Sequence, residues 1–319
     1  MQNTIAEARN AASQRRVRSK LMPSVRLLIL DVDNTLFDWF GFWMPSFSSM
    51  LDAVVAAARL DRDTLLDEIQ AVHKKHGTSE YAFVLQETAS IRRLPAELRA
   101  RTIEAGRLAF SNARKRHSRL YPGIVETLEV IRSNGTSVVA FTESQLFYST
   151  QRLRRFGLDG LIDALYCAND HAIPDSVELD VLRTMPADSY RLERTGTIIL
   201  PEGVRKPDVS ILRRILLDCS CDPSEAAYVG DSLYKDVLMA QQAHVHDVFA
   251  EYGSVRKQAD YALLKRVSHW TEQQVCVETE SAKEVFPSII LRNKFSEILD
   301  HLTFKANDTA GRSLKTDGI

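Results

Sequence analysis

The stretch "LLILDVDNTLFDW", residues 27–39, decides the fold. Its opening run is uninterrupted aliphatic sequence, so it predicts a strand buried on both faces, the pattern of a parallel sheet. The run starts near Val25 and ends in Asp31 and Asp33, one residue apart, followed by Asn34 and Thr35. Paired carboxylates can be mere punctuation at a strand end, and whether they are more depends on what converges on them. "TSVVAFTES" (136–144) has the same character and closes on Thr142-Glu143-Ser144, residues suited to capping a following helix. "EAAYVGDS" (225–232) repeats the pattern and closes on Gly230-Asp231-Ser232. Weaker strand signals lie at 161–170 and 246–253. Amphipathic helical segments run over 123–135, with Gly135 as a C-cap, and over 145–157, 207–219 and 233–243. Strands alternating with helices predict an α/β fold, a doubly wound, Rossmann-like parallel sheet.

One interval breaks the alternation. Between Leu36 and Tyr121 lie roughly 85 residues, far more than a crossover needs. Helical patterns cover 45–59, 61–76, 79–91 and 95–116, with Thr78 and Ser79 as N-caps and no strand signal among them. This predicts an all-helical domain inserted after the first strand. The expected organisation is an arm over 1–24, an α/β core over 25–40 and 120–304 with an insertion at about 171–200, a helical domain over 41–119 and a loose polar tail over 305–319. "RTGTIIL" (194–200) is a further candidate strand, "DYALLKRVSHW" a helix, and "FPSIIL" a last strand.

Composition excludes several classes. Hydrophobic residues make up 45% and charged residues 26%, with a net charge of −1, so bulk attraction to nucleic acid or to a membrane surface is not expected. No apolar stretch approaches the roughly 20 residues that span a bilayer. The leader carries Arg9, Arg15, Arg16, Arg18 and Lys20 against Glu7 but no apolar core, and reads as a solvated arm rather than a secretory signal. Cys167, Cys219, Cys221 and Cys276 are too few for a disulfide framework and lack a partner cluster for zinc. They read as reduced thiols, and the expected location is cytoplasmic.

In open α/β sheets ligands sit beyond the carboxyl ends of the strands. Three strand ends bring Asp31 and Asp33, Thr142, and Asp231 with Asp236 to that rim, and Lys206 in Arg-Lys-Pro-Asp can reach it. Carboxylates so concentrated repel one another unless a cation sits among them, and oxygen-rich ligation of this kind favours Mg²⁺. Asp31 and Asp33 share one side of the strand, with Val32 turned away. One carboxylate can then attack phosphorus while its neighbour handles protons. Thr142 offers a hydroxyl to a phosphoryl oxygen, and Lys206 neutralises charge. Each group alone has a bland reading as cap, turn or surface charge; their order along the chain favours the chemical one.

The chain resembles the haloacid dehalogenase-like hydrolase superfamily. Asp31-Val32-Asp33-Asn34-Thr35 matches its first motif, Thr142 its second, Lys206 its third and Gly230–Asp236 its fourth. The resemblance implies Asp31 as nucleophile and Asp33 as general acid/base. It implies a phosphate site at Asn34, Thr142, Glu143 and Lys206. Mg²⁺ would be held by Asp31, Asp33 through its backbone carbonyl, and Asp231, with Asp236 orienting the shell. The inserted helices resemble the C1-type cap of the phosphoglycolate-phosphatase-like branch. The expected activity is Mg-dependent hydrolysis of a small phosphorylated metabolite, with a phosphomutase or a non-catalytic binding subunit as alternatives. A short receiver module would lack the helical insertion. The chain departs from the family pattern at Asn34, where glycine is commoner, at Glu143-Ser144 after Thr142, and at Ala243-His244-Val245 after the fourth motif, and the 171–200 insertion and everything beyond 255 lie outside the common core. In the cap, Trp39, Trp43 and Tyr81 read as packing and His73-Lys74-Lys75-His76 as a solvated helix end.

Overall fold

A computed structural model describes residues 22–171, 173 and 186–307. The strands are β1 (Ser24–Val25), β2 (Leu27–Leu30), β3 (Ser137–Gln145), β4 (Ala164–Ala168), β5 (Gly196–Ile199), β6 (Ala226–Gly230), β7 (His246–Ala250), β8 (Ile289–Leu291) and β9 (Thr303–Phe304). Seven form one all-parallel sheet in the order β5-β4-β3-β2-β6-β7-β8, while β1 pairs with β9. β2 lies at the centre because its four residues are wholly buried and can face apolar layers on both sides. In register, Leu30 sits opposite Ala140 and Val229, so the chain leaves β2, β3 and β6 at one edge. Strand order reverses between β2 and β6, which makes their carboxyl ends the crevice of the sheet.

The described residues divide into two units. The first holds the sheet: residues up to Leu36, Tyr121–Tyr252 and those from Val285. Its core on one face is built from Leu27, Ile29, Val139, Phe141, Tyr166 and Tyr228 with Leu212 and Ile215 of the helix Val209–Asp218. Asn34 adopts φ 60°, a left-handed conformation that favours glycine or asparagine, which explains why either residue fits there.

The second unit joins Phe37–Leu120 to Gly253–Glu284. The expected core over 120–304 is corrected here, since Gly253–Glu284 groups with the inserted helices and not with the sheet. The link is chemical: His73 donates from Nδ1 to the Val267 carbonyl at 2.6 Å, and Arg266 reaches Asp63 at 2.8 Å. Burial pushes His73 down to about 4, so it is a neutral packing residue rather than part of a solvated helix end. His76 stacks on Tyr81 and, with Lys75, meets Glu87. Trp39, Trp43 and Phe47 form a stack along the helix Trp39–Ala58, which starts earlier than expected because Asp38 caps it by accepting from the Gly41 amide. The expected helix over 79–91 is instead a turn followed by Val84–Glu87 and Ala89–Arg92. The helix Glu272–Glu284 was not anticipated.

The arm over 1–24 lies outside the described residues as far as residue 21, and Ser24 belongs to β1. Of the insertion at 171–200, residues 172 and 174–185 lie outside the described residues; its end carries β5. The tail expected to be loose from 305 is anchored through residue 307, and 308–319 lie outside the described residues. Thr136 donates to the Lys305 carbonyl at 2.9 Å, and the Asn307 amide donates to the Gly135 carbonyl at 3.0 Å. The buried Asn307 side chain donates to Ser137 Oγ at 3.1 Å and to the Cys219 carbonyl at 3.4 Å. Asn307→Ala should therefore lower stability by about 1–3 kcal/mol, the cost of stranding buried partners. Urea unfolding checks this, and an unchanged midpoint would show that the anchor contributes nothing.

Candidate active site

β2 delivers Asp31 immediately past its last wholly buried residue, and its backbone is pinned by the Asp31 amide donating to the Val229 carbonyl at 2.9 Å. β6 ends in Gly230, and the Ser232 side chain caps a π-helical turn over Leu233–Val237 by accepting from the Lys235 amide. That turn folds Asp236 back over Gly230, where a Cβ would lie 2.2 Å from the Asp236 Cγ, so only glycine fits. Asp236 Oδ2 accepts from the Ser232 amide at 3.0 Å and Oδ1 from the Tyr228 hydroxyl at 3.1 Å.

Lys206 enters from the loop before the helix Val209–Asp218. Its side chain is 2% exposed, and Nζ donates to Asp31 Oδ1 at 2.6 Å and Asp236 Oδ1 at 3.0 Å. It also lies 4.9 Å from the Phe141 ring centroid and 5.4 Å from that of Tyr228. Oxygens of Asp31, Asp231 and Asp236 all lie within 4.8 Å of one another. Two of these three carboxylates thus share one ammonium. Burial pushes the Asp31 carboxyl up to about 7, against the pull of Lys206 and with added repulsion from Asp236. Although burial works against its charge, Asp236 and Asp31 hold the Lys206 ammonium well above its ordinary range. The cluster carries more negative charge than its lysine compensates, and all its donors are hard oxygens. That is the donor set a divalent cation such as Mg²⁺ takes.

The remaining site residues separate into two groups. Thr142, 1% exposed, accepts from the Ser144 amide at 3.1 Å. The Thr142–Ser144 segment does not cap a helix as expected, because β3 continues to Gln145. The Glu143 side chain is engaged by lysine groups: Oε1 accepts from the Lys206 amide at 3.1 Å and Oε2 from Lys235 Nζ at 2.6 Å. Burial opposes its charge, yet the Lys235 ammonium brings Glu143 down to about 2. As an anion paired with Lys235, it braces the lysine loop. Asp33 does not join the three-carboxylate cluster through its side chain; it is met by Ser144 Oγ at 2.6 Å and by Arg152 Nη1 at 2.8 and 2.9 Å. Sequence reasoning missed Arg152 and Lys235. Tyr252, also unforeseen, donates to the Thr35 carbonyl at 2.6 Å, and Thr35 donates to Asp31 Oδ2 at 3.0 Å.

The haloacid dehalogenase-like hydrolase family matches residues 25–244, more than half of the chain. The chain belongs to that family and is a hydrolase. A curated relative, the glyceraldehyde 3-phosphate phosphatase of Pyrococcus furiosus, is 22% identical over 252 residues, covering 76% of this chain and 91% of the relative. Among solved structures, a predicted phosphoglycolate phosphatase from Haemophilus somnus is 17% identical, with a TM-score of 0.46, covering 86% of this chain and 96% of that one. The 2-haloacid dehalogenase of Pseudomonas syringae pv. Tomato is 16% identical, with a TM-score of 0.46 and coverage of 86% and 97%. Among the described residues no helix is long and apolar enough to cross a membrane.

Lys206→Met removes the cation that Asp31 and Asp236 share. Without added metal it should cost about 3–5 kcal/mol, as for a buried ion pair that loses one member. Asp31, whose carboxyl burial already raises above its ordinary value, then favours folding in its protonated form, and that support is lost as pH rises. The deficit relative to the parent should accordingly shrink between pH 8 and pH 5. Thermal melts across that range in EDTA check it; a deficit independent of pH would show that the lysine does not compensate these acids.

Proposed function

We propose that this hydrolase is a Mg²⁺-dependent phosphatase acting on a small phosphate monoester through an aspartyl-phosphate intermediate. The observation that carries the reading is Lys206 Nζ bridging Asp31 and Asp236 with Asp231 close by. Asp31, Asp231 and the Asp33 carbonyl would hold the ion, with Asp236 orienting the set. When bound, the ion would neutralise phosphoryl oxygens and so make an anionic substrate approachable by a carboxylate.

The chain's own groups supply the remaining work. Asp31 is held by Thr35 and Lys206, so one of its oxygens can be presented to phosphorus. As the Asp31 oxygen–phosphorus bond forms, the ester oxygen leaves and takes a proton from Asp33. Asp33, now a carboxylate, accepts a proton from water as that water attacks the acyl phosphate, which releases inorganic phosphate and restores Asp31. Thr142 and Lys206 would donate to phosphoryl oxygens. A halide leaving group would need no proton donor, and the presence of Asp33 therefore favours a phosphate ester as substrate. The relative named for glyceraldehyde 3-phosphate suggests a three-carbon or similarly small phosphorylated metabolite.

Hydrolysis of p-nitrophenyl phosphate tests this. Mg²⁺ should support turnover, EDTA should abolish it and added Mg²⁺ should restore it. Asp31→Asn should lower the rate by about three orders of magnitude or more, as loss of a nucleophile does. Undiminished hydrolysis by Asp31→Asn would refute the assignment. A panel holding glyceraldehyde 3-phosphate, phosphoglycolate and sugar phosphates then ranks substrates by kcat/KM.

A further inference from the structure

Arg152 lies in the arginine-rich helix Leu146–Arg155, yet its side chain is only 7% exposed. Nη1 meets both oxygens of Asp33, at 2.8 and 2.9 Å, and also Ser144 Oγ at 2.9 Å. Ser144 Oγ in turn donates to Asp33 Oδ2 at 2.6 Å, so the three groups close a triangle in which each touches the other two. Both supports are themselves fixed. The Ser144 amide donates to Thr142 Oγ1, and the guanidinium carbon of Arg152 lies 5.9 Å from the Tyr148 ring centroid, one helical turn back.

Such an arrangement is poorly explained by stability. Taking a guanidinium out of water costs several kcal/mol, and its ion pair with a carboxylate commonly only offsets that cost. The same pair is well explained by orientation. A charge-assisted contact to both carboxyl oxygens stops rotation about the Cβ–Cγ bond of Asp33, and the Ser144 hydroxyl selects the side chain's tilt. A proton donor acts only within hydrogen-bond reach of the leaving oxygen, and small displacements weaken it. We propose that Arg152, together with Ser144, is a positioning residue that holds Asp33 on line for proton transfer to the departing alcohol. This rests on the reading of Asp33 as the proton donor given above.

The test exploits leaving groups, because a purely structural residue has no reason to distinguish among them. The parent, Asp33→Asn, Arg152→Met, Arg152→Lys and Ser144→Ala are compared by kcat/KM on p-nitrophenyl, phenyl and benzyl phosphate with Mg²⁺. These esters are close in size but leave with increasing need for a proton, and kcat/KM reports the step in which the ester bond breaks. For Arg152→Met the loss should grow along the series, reaching about tenfold or more on benzyl phosphate and staying smallest on p-nitrophenyl phosphate. Arg152→Lys should recover part of that loss, and Ser144→Ala should show the same gradient in weaker form. A flat loss across the three esters in both Arg152→Met and Ser144→Ala, with Asp33→Asn graded, would overturn the positioning role alone. A flat loss in Asp33→Asn itself would overturn the proton-donor reading and this inference with it. Thermal melts identify a variant that is unfolded; should Arg152→Met be one, Ser144→Ala and Arg152→Lys decide the matter.

Discussion

One buried ammonium organises the centre of this molecule. Lys206 is almost wholly inside the protein and can stay charged there only because Asp31 and Asp236 accept from it. Those carboxylates are tolerable for the same reason. The constraint propagates outward: Gly230 must lack a side chain so that Asp236 can approach, Glu143 must brace the Lys206 amide, and Tyr228 must bring its hydroxyl to Asp236. Because Lys206 bonds two of three neighbouring carboxylates, the cluster carries excess negative charge, and an excess of that kind is what a divalent cation corrects.

The parts of the fold that could be read from the sequence are those whose burial is complete. β2, β3 and β6 are strands with nearly every residue inside, so their apolar runs stand out without any partner being known. The groups at their ends were legible for the same reason, since charge directly after such a run is conspicuous. Asn34 was legible as a departure, and its positive φ supplies the cause.

Other features depend on tertiary context. Arg152 sits in a run with Arg154 and Arg155, and the buried face of its helix is made of Ser149, Thr150 and Leu153, too small and polar to mark a stripe. Glu143 looked like an odd acid in a phosphate site because its lysine partner, Lys235, is distant in sequence. His73 looked solvated among lysines, and only the Val267 carbonyl explains its burial. Asn307 gave no local cue, being a polar residue near a polar end whose partners lie far back in the chain.

The membership of Gly253–Glu284 in the helical unit has a further consequence for how the polypeptide matures. The backbone passes between the two units four times, at residues 36–37, 120–121, 252–253 and 284–285. A single inserted segment could finish folding while the ribosome was still making the remainder. Here the helix Arg62–His76 has emerged long before Val267 exists to receive His73, and β7 waits for β8. Neither body can be completed until nearly the whole chain has been synthesised. The last contacts of both units therefore come from residues made late in synthesis, so neither unit can complete its packing before them.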